Sequence, residues 1–269
     1  MPSPAAFRRH GRSAIGLGCA VAVVALAGCG PATDSKGAGP DSSSAGASGS
    51  AAAAKKPAPF AGDSGPDIVN KSLKVTRAAT SLTMRADIQD PTEGHVLFTM
   101  AVSAKGDCAG HVSLNDEGKV VLSKVGKTVY MKFDEKFVRA QGKNDSKAET
   151  DATVDMLAGR WVKTSATSDE GKEFATFCDL DTLLGDFEGE DTVARKGPLA
   201  SVDGRPAITL TESDGKSQYK VYVATEGKPY LLKLVTTGDE PGTAVLSGFD
   251  EPVGAKVPTG KDILDLDKL

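Results

Sequence analysis

Histidine is nearly missing from this chain: there are three in 269 residues. His10 falls in a basic leader, so His95 and His111 are what remain for acid–base or metal chemistry. No G-x-S-x-G elbow, H-E-x-x-H pair or phosphate-cradling P-loop accompanies them. The common hydrolase, zinc-protease and nucleotide-hydrolysing classes are thereby excluded, and both histidines read as half-exposed strand residues. Aromatic residues are also sparse, at 5% with a single Trp. A basic excess is missing too: Lys and Arg total 32 against 36 Asp and Glu, a net charge of -4, which gives no electrostatic reason to expect nucleic acid. Finally, the apolar run Ala14 to Ala27 is too short to span a bilayer.

What is present explains that short run. Arg8, Arg9 and Arg12 precede it with no acid among them, the layout of an export signal. Small residues then lead directly into a cysteine, and the quartet Leu26-Ala27-Gly28-Cys29 resembles the lipobox of bacterial lipoproteins. A thiol at a membrane surface can take a diacylglyceryl group, and small side chains before it admit the peptidase that makes Cys29 the new N-terminus. Two acyl chains, at about 0.8 kcal/mol per buried CH2, hold a protein firmly where one does so marginally. From residue 30 to about 65 the chain is Ala, Gly, Ser, Pro and Lys with Phe60 as its one aromatic. Such a composition cannot bury enough apolar area to offset its ordering entropy. The expected division is a signal over 1–28, a lipidated tether over 29–65 and a folded domain over 66–269.

Export also governs the four cysteines. Cys19 leaves with the signal and Cys29 carries lipid, which leaves Cys108 and Cys178 to pair in an oxidising compartment. Cys108-Ala109-Gly110-His111 has the C-x-x-H spacing of half a zinc site, yet no second ligand pair accompanies it, so the disulfide is preferred and no metal is expected. The acids Asp179, Asp181, Asp186, Glu188, Glu190 and Asp191 lack the fixed spacing of a calcium loop and read as a solvated surface.

The folded part opens on Ser64-Gly65-Pro66-Asp67, a helix start. Ile68, Val69, Leu73, Val75, Ala79 and Leu82 share one side, which predicts an amphipathic helix from Pro66 to about Thr80. The period then changes to two. Val96, Phe98, Met100 and Val102 alternate with their neighbours, and strands follow over Cys108 to Leu114, Lys119 to Lys124 and Thr128 to Phe133. Helix formers dominate Asp134 to Gln141, Ser146 to Leu157 and Asp169 to Leu184, with a brief strand at Trp161 and Val162. Asp203-Gly204, Asp214-Gly215 and Glu226-Gly227 then punctuate a meander of strands over Ala207 to Thr211, Gln218 to Ala224, Tyr230 to Thr236 and Ala244 to Phe249. The fold class expected is α+β, a curved antiparallel sheet, or half-barrel, with helices on its concave face.

From Asp67 onward the chain resembles the cell-envelope lipoproteins of the LppX, LprA, LprF and LprG type, relatives in fold of the lipoprotein carrier LolA. The resemblance is carried by the Leu26 to Cys29 lipobox, the early helix, Gly126-Lys127-Thr128-Val129-Tyr130-Met131-Lys132 and Gly159-Arg160-Trp161-Val162-Lys163. Val221-Tyr222-Val223 and Lys228-Pro229-Tyr230-Leu231-Leu232-Lys233-Leu234 add to it. It implies a cavity that holds a lipid or acyl chain, no catalytic residues and no cofactor. It also implies anchorage through Cys29 on the outer face of the cytoplasmic membrane and an envelope transport partner. The residues alone have the apolar strand positions packing against helices. The resemblance makes Val96, Phe98, Met100, Val129, Met131, Phe133, Tyr230, Leu232 and Leu234 candidates to line the cavity. The low aromatic content and the acidic segment Asp179 to Asp191 depart from that family. A competing reading is a non-catalytic interaction or sensor module with a filled core.

Overall fold

The computed structural model describes residues 59–91, 94–185, 192–260 and 263–268. The signal, Cys29, most of the tether and the acids Asp186, Glu188, Glu190 and Asp191 lie outside the described residues. Helix α1 (Gly65–Arg77) starts at a capping box: the Ser64 hydroxyl accepts the Asp67 N–H at 3.2 Å while the Asp67 carboxylate accepts the Ser64 N–H at 3.0 Å. It stops short of the expected end. Leu82 belongs instead to a strand, β1 (Ser81–Asp90), that the periodicity did not announce.

That strand is the centre of the molecule. Strands β2 (Gly94–Ser103), β3 (Cys108–Leu114), β4 (Lys119–Val125), β5 (Thr128–Phe133) and β6 (Trp161–Ser165) run outward from one side of it. On its other side lie β11 (Gly242–Ser247), β10 (Leu231–Thr237), β9 (Ser217–Ala224), β8 (Arg205–Asp214) and β7 (Arg195–Val202). A two-residue β12 (Leu264–Asp265) pairs in parallel with β6, giving twelve strands in the order β12-β6-β5-β4-β3-β2-β1-β11-β10-β9-β8-β7. All other pairings are antiparallel. The expected meander is therefore present, with β7 added at its edge. Asp203 and Gly204 join β7 to β8 with φ of 46° and 80°, the left-handed pair that a tight hairpin needs.

Helices α2 (Glu135–Gln141) and α3 (Lys147–Leu157) are inserted between β5 and β6. Helix α4 (Asp169–Ala175), a 3-10 turn (Thr176–Cys178) and α5 (Leu180–Leu184) stand between β6 and β7. Ile68, Val69 and Leu73 of α1 and Leu180 and Leu184 of α5 pack in one cluster with Met84, Met100, Leu122, Met131, Leu210, Val223, Leu231 and Leu246 from the sheet. The protein is thus α+β, with helices covering one face of an open, curved sheet.

The curl can be gauged from one ion pair. Arg85 on β1 reaches Asp203 at the β7–β8 turn at 2.9 Å, although β1 and β7 are five steps apart in the sheet order. Laid flat, five steps at about 4.8 Å would separate them by about 24 Å. Beneath this fold-over sits a second cluster, Val202, Ala207, Ala224, Tyr230 and Leu232 with Ala79 at the end of α1. These strand residues alternate with Ile208, Val223 and Leu231 of the first cluster, so the sheet carries apolar cores on both faces.

Candidate functional site

The register places the candidate residues row by row. Met84 faces Met100, which faces Gly110; Gly110 faces Leu122, Leu122 faces Met131 and Met131 faces Val162. The next row along runs Ala86, Phe98, Val112, Val120 and Phe133, and beyond it Ile88, Val96 and Leu114. Val129 lies in the row on the other side, with Cys108 and Lys124. Six of the nine candidates, Val96, Phe98, Met100, Val129, Met131 and Phe133, therefore share the helix-bearing face. Leu234, in register with Ala244 and Val221, shares it at the far side of β1.

Tyr230 and Leu232 do not. The pairing of β10 with β9 shifts between Leu231 and Lys233, and the extra residue reverses the alternation. Leu231 takes the place on the helix-bearing face, while Tyr230 and Leu232 join the cluster on the opposite face.

Exposure divides the shared face in two. Met100, Val129 and Met131 are sealed, at 0%, 0% and 1%. Val96, Phe98 and Phe133 are only half-buried. Around those two phenylalanines gather three more from the helical segments. Phe177 meets Phe98 edge-on at 6.4 Å, Phe174 meets Phe133 edge-on at 6.2 Å, and Phe137 stacks on Phe133 at 5.5 Å. Leu157 and Leu183 are half-buried against the same core.

Local chemistry explains why they converge. Phe177 precedes Cys178, and Cys178 is joined by a disulfide to Cys108 on β3, so a covalent bond holds that ring over the sheet. Phe137 is placed by the start of α2, where the Asp134 carboxylate accepts its N–H at 2.7 Å. Gly118 permits that approach: its φ is 111°, and a Cβ there would lie 2.3 Å from the Phe137 nitrogen. Phe174 follows the Ser168 cap of α4, whose hydroxyl also bonds Thr164 on β6 at 2.7 Å. The sequence reading missed Phe137, Phe174 and Phe177 as site residues; the adjacency of Phe177 to a paired cysteine was the available signal.

The face carries little polarity. Lys124 points to it and donates to the Gly106 carbonyl at 2.6 Å. His95 pairs with Asp87 at 3.0 Å on the opposite face, and His111 is exposed on β3, where desolvation and Lys119 hold its pKa below the ordinary value. What this arrangement offers chemically is apolar surface, adaptable through methionine and aromatic edges.

No protein-family model and no curated protein matches the chain. Among solved structures it is similar to the lipoprotein LppX of Mycobacterium tuberculosis, at 16% identity over 71% of this chain and 97% of that one, with a TM-score of 0.46. It is also similar to LprF of Mycobacterium bovis, at 13% identity over 73% and 97%, with a TM-score of 0.47. A LolA superfamily protein of Nitrosomonas europaea aligns at 9% identity over 73% and 96%, with a TM-score of 0.22. The first two carry the names that the sequence resemblance raises. At these identities and scores, activity has to be argued from this chain's own residues.

Proposed function

We propose that the chain is a non-catalytic cell-envelope lipoprotein, tethered through lipidated Cys29, that shelters an acyl chain against the helix-bearing face of its sheet and passes it on. The observation that carries this reading is the group of half-buried phenylalanines, Phe98, Phe133, Phe137, Phe174 and Phe177, standing over a sealed aliphatic core. Large rings left partly in water gain about 25 cal/mol per Å² when a hydrocarbon chain covers them, before the cost of association. The helices beside them are short, from 5 to 11 residues among α2 to α5, and elements of that length can shift to admit a chain at small energetic cost.

The test is mass spectrometry of organic extracts from purified, unlipidated protein, together with uptake of a fluorescent fatty acid. The expected outcome is a co-purified lipid and saturable uptake that Phe98→Asp abolishes. Empty extracts together with no uptake would overturn the reading. The sealing of Met100, Val129 and Met131 favours a second reading, in which the core is filled and the phenylalanine group docks another envelope protein.

A further inference from the structure

The described chain begins by folding back on itself. Phe60 takes a φ of 55°, and its carbonyl accepts the Asp63 N–H at 3.2 Å and the Lys196 ammonium at 2.7 Å. Lys71 of α1 stands 5.9 Å over the Phe60 ring. The point where the preceding chain enters the domain is thereby fixed by α1 and by the edge strand β7. Between this entry and the β9–β10 turn lies a hollow of about 310 Å³, lined by Pro59, Phe60, Lys71, Thr225, Gly227 and Pro229 among others. Its lining combines apolar rings with an ammonium and includes no carboxylate. Of the acids nearby, Asp63 faces Lys71 at 3.9 Å and Asp67 is bound within the capping box of α1, while Glu226 stands exposed in the turn between Thr225 and Gly227.

We propose that this entry end is the surface on which the domain rests against an anionic bilayer, with a lipid headgroup phosphate seated in the hollow beside Lys71, and with Lys74 one turn along α1 and Lys196 at the Phe60 carbonyl adding positive charge around it. The inference rests on the membrane-tether part of the function proposed above. The chain's net charge of -4 disfavours a general attraction to such a surface, so contact needs a local cationic site, and Lys71, Lys74 and Lys196 are all exposed. The length of chain from Cys29 to Ala58 corresponds to a random-chain span of about 30 Å, which would keep a domain anchored at Cys29 near millimolar effective concentration at the surface. Under that condition a weak site suffices, since each lysine near anionic headgroups contributes about a factor of five in partition. The entry end is also the part of the domain that the tether brings nearest to the membrane.

The experiment uses the chain from residue 29 onward with Cys29→Ser, so that no acyl group masks the contact. It is co-sedimented with vesicles of equal parts phosphatidylglycerol and phosphatidylcholine, and with pure phosphatidylcholine. We expect binding to the anionic vesicles alone, release by high salt, no competition by inorganic phosphate at millimolar concentration, and a loss of at least tenfold in Lys71→Glu/Lys74→Glu. A variant of equal charge change elsewhere, Lys136→Glu/Lys216→Glu, should bind within twofold of the parent, and circular dichroism confirms that both variants fold. Equal binding to neutral vesicles, or unchanged binding in the first variant, overturns the proposal. Lipid extraction reports on the carrier function independently, so failure of one does not mimic failure of the other.

Discussion

Asp250 shows how much one exposed carboxylate can organise. It accepts the Tyr230 hydroxyl at 2.6 Å, the Lys228 ammonium at 2.9 Å and the Thr80 N–H at 2.9 Å, and it does so from a left-handed φ of 62° that Asp tolerates better than most residues. Tyr230 in turn stacks on Phe249 at 4.0 Å with an interplanar angle of 3°, and Arg205 lies over Phe249 at 5.5 Å. The bonds from Tyr230 and then Lys228 hold the Asp250 carboxyl far below the usual carboxylate range, while the bond to Asp250 raises Lys228 to about 12. The signs are opposite. The depressed acid stabilises the fold above its unfolded value of about 3.9 and loses that contribution as pH falls through its folded value. The raised lysine stabilises below its unfolded value near 10.5 and loses its contribution as pH rises toward about 12. Wild type should therefore melt above Asp250→Asn by a gap that is constant between about pH 5 and pH 10 and narrows on both sides. Thermal melts extended from about pH 2 to about pH 12 would show the narrowing at both ends, and a gap that stays constant across that wider span would mean that the charges do not matter.

At the scale of elements, the segment after β11 is informative although it is neither helix nor strand. Residues 251–256 run as a strap over the face opposite the helices, held by β1 at one end and by β4 at the other. Ser81 on β1 donates to the Glu251 carbonyl at 2.5 Å. Ser123 on β4 donates to the Lys256 carbonyl at 2.9 Å and accepts its N–H at 3.2 Å, and Asp267 accepts from Thr164 at 2.6 Å and from the Ser165 N–H at 2.9 Å. Strands β1 and β4 are three steps apart, about 14 Å, while the five residues from Glu251 to Lys256 reach at most about 17 Å. On these flat-sheet figures the stretch has about 3 Å to spare, and Gly254 lies in it with a left-handed φ of 67°. Ser123→Ala should cost about 1 kcal/mol by removing both bonds to the Lys256 backbone, which is exposed and can turn to water. Deleting Gly254 should cost more, because the shortened chain cannot reach both pins, and inserting a glycine there should be nearly neutral. Urea denaturation distinguishes these outcomes, and a tolerated deletion would show that the strap is slack. Sequence patterning located most elements because period two and the Asp-Gly turns are local signals. It missed β1, whose Met84, Arg85, Ala86 and Gln89 favour helices in isolation and which becomes a strand by pairing along its length with both β2 and β11. Val96, Phe98 and Met100 on one strand and Val129, Met131 and Phe133 on another do share one face, as strand alternation requires of every second residue. Patterning could not place Leu232, because a bulge leaves no mark in an unbroken apolar run; Phe177 beside the paired Cys178 was within reach of it, whereas Phe174 is set by the Ser168 cap of α4 and its bond to β6.

For the whole molecule, the Cys108–Cys178 bond is the link between the wall of the half-barrel and its cover. Cys108 lies on β3, and Cys178 ends the turn that carries Phe177 over Phe98. The loop it closes, with a sequence separation of 70, contains β4, β5 and β6 together with α2, α3 and α4, which is one wing of the sheet and the helices that cover it. Closing a loop of that length disfavours the unfolded chain by about 4 kcal/mol on the chain-entropy account. Cutting it has a second, separable consequence, since the cover is otherwise held by half-buried rings and by short helices that are marginal alone. The variant Cys108→Ala/Cys178→Ala should lose about 4 kcal/mol in urea denaturation at unchanged secondary structure. It should also take up a fluorescent fatty acid several-fold faster than wild type, because Phe174 and Phe177 can swing clear of Phe98 and Phe133 more often. A loss of stability with uptake unchanged would show that chains enter by another route and that the bond only braces the fold.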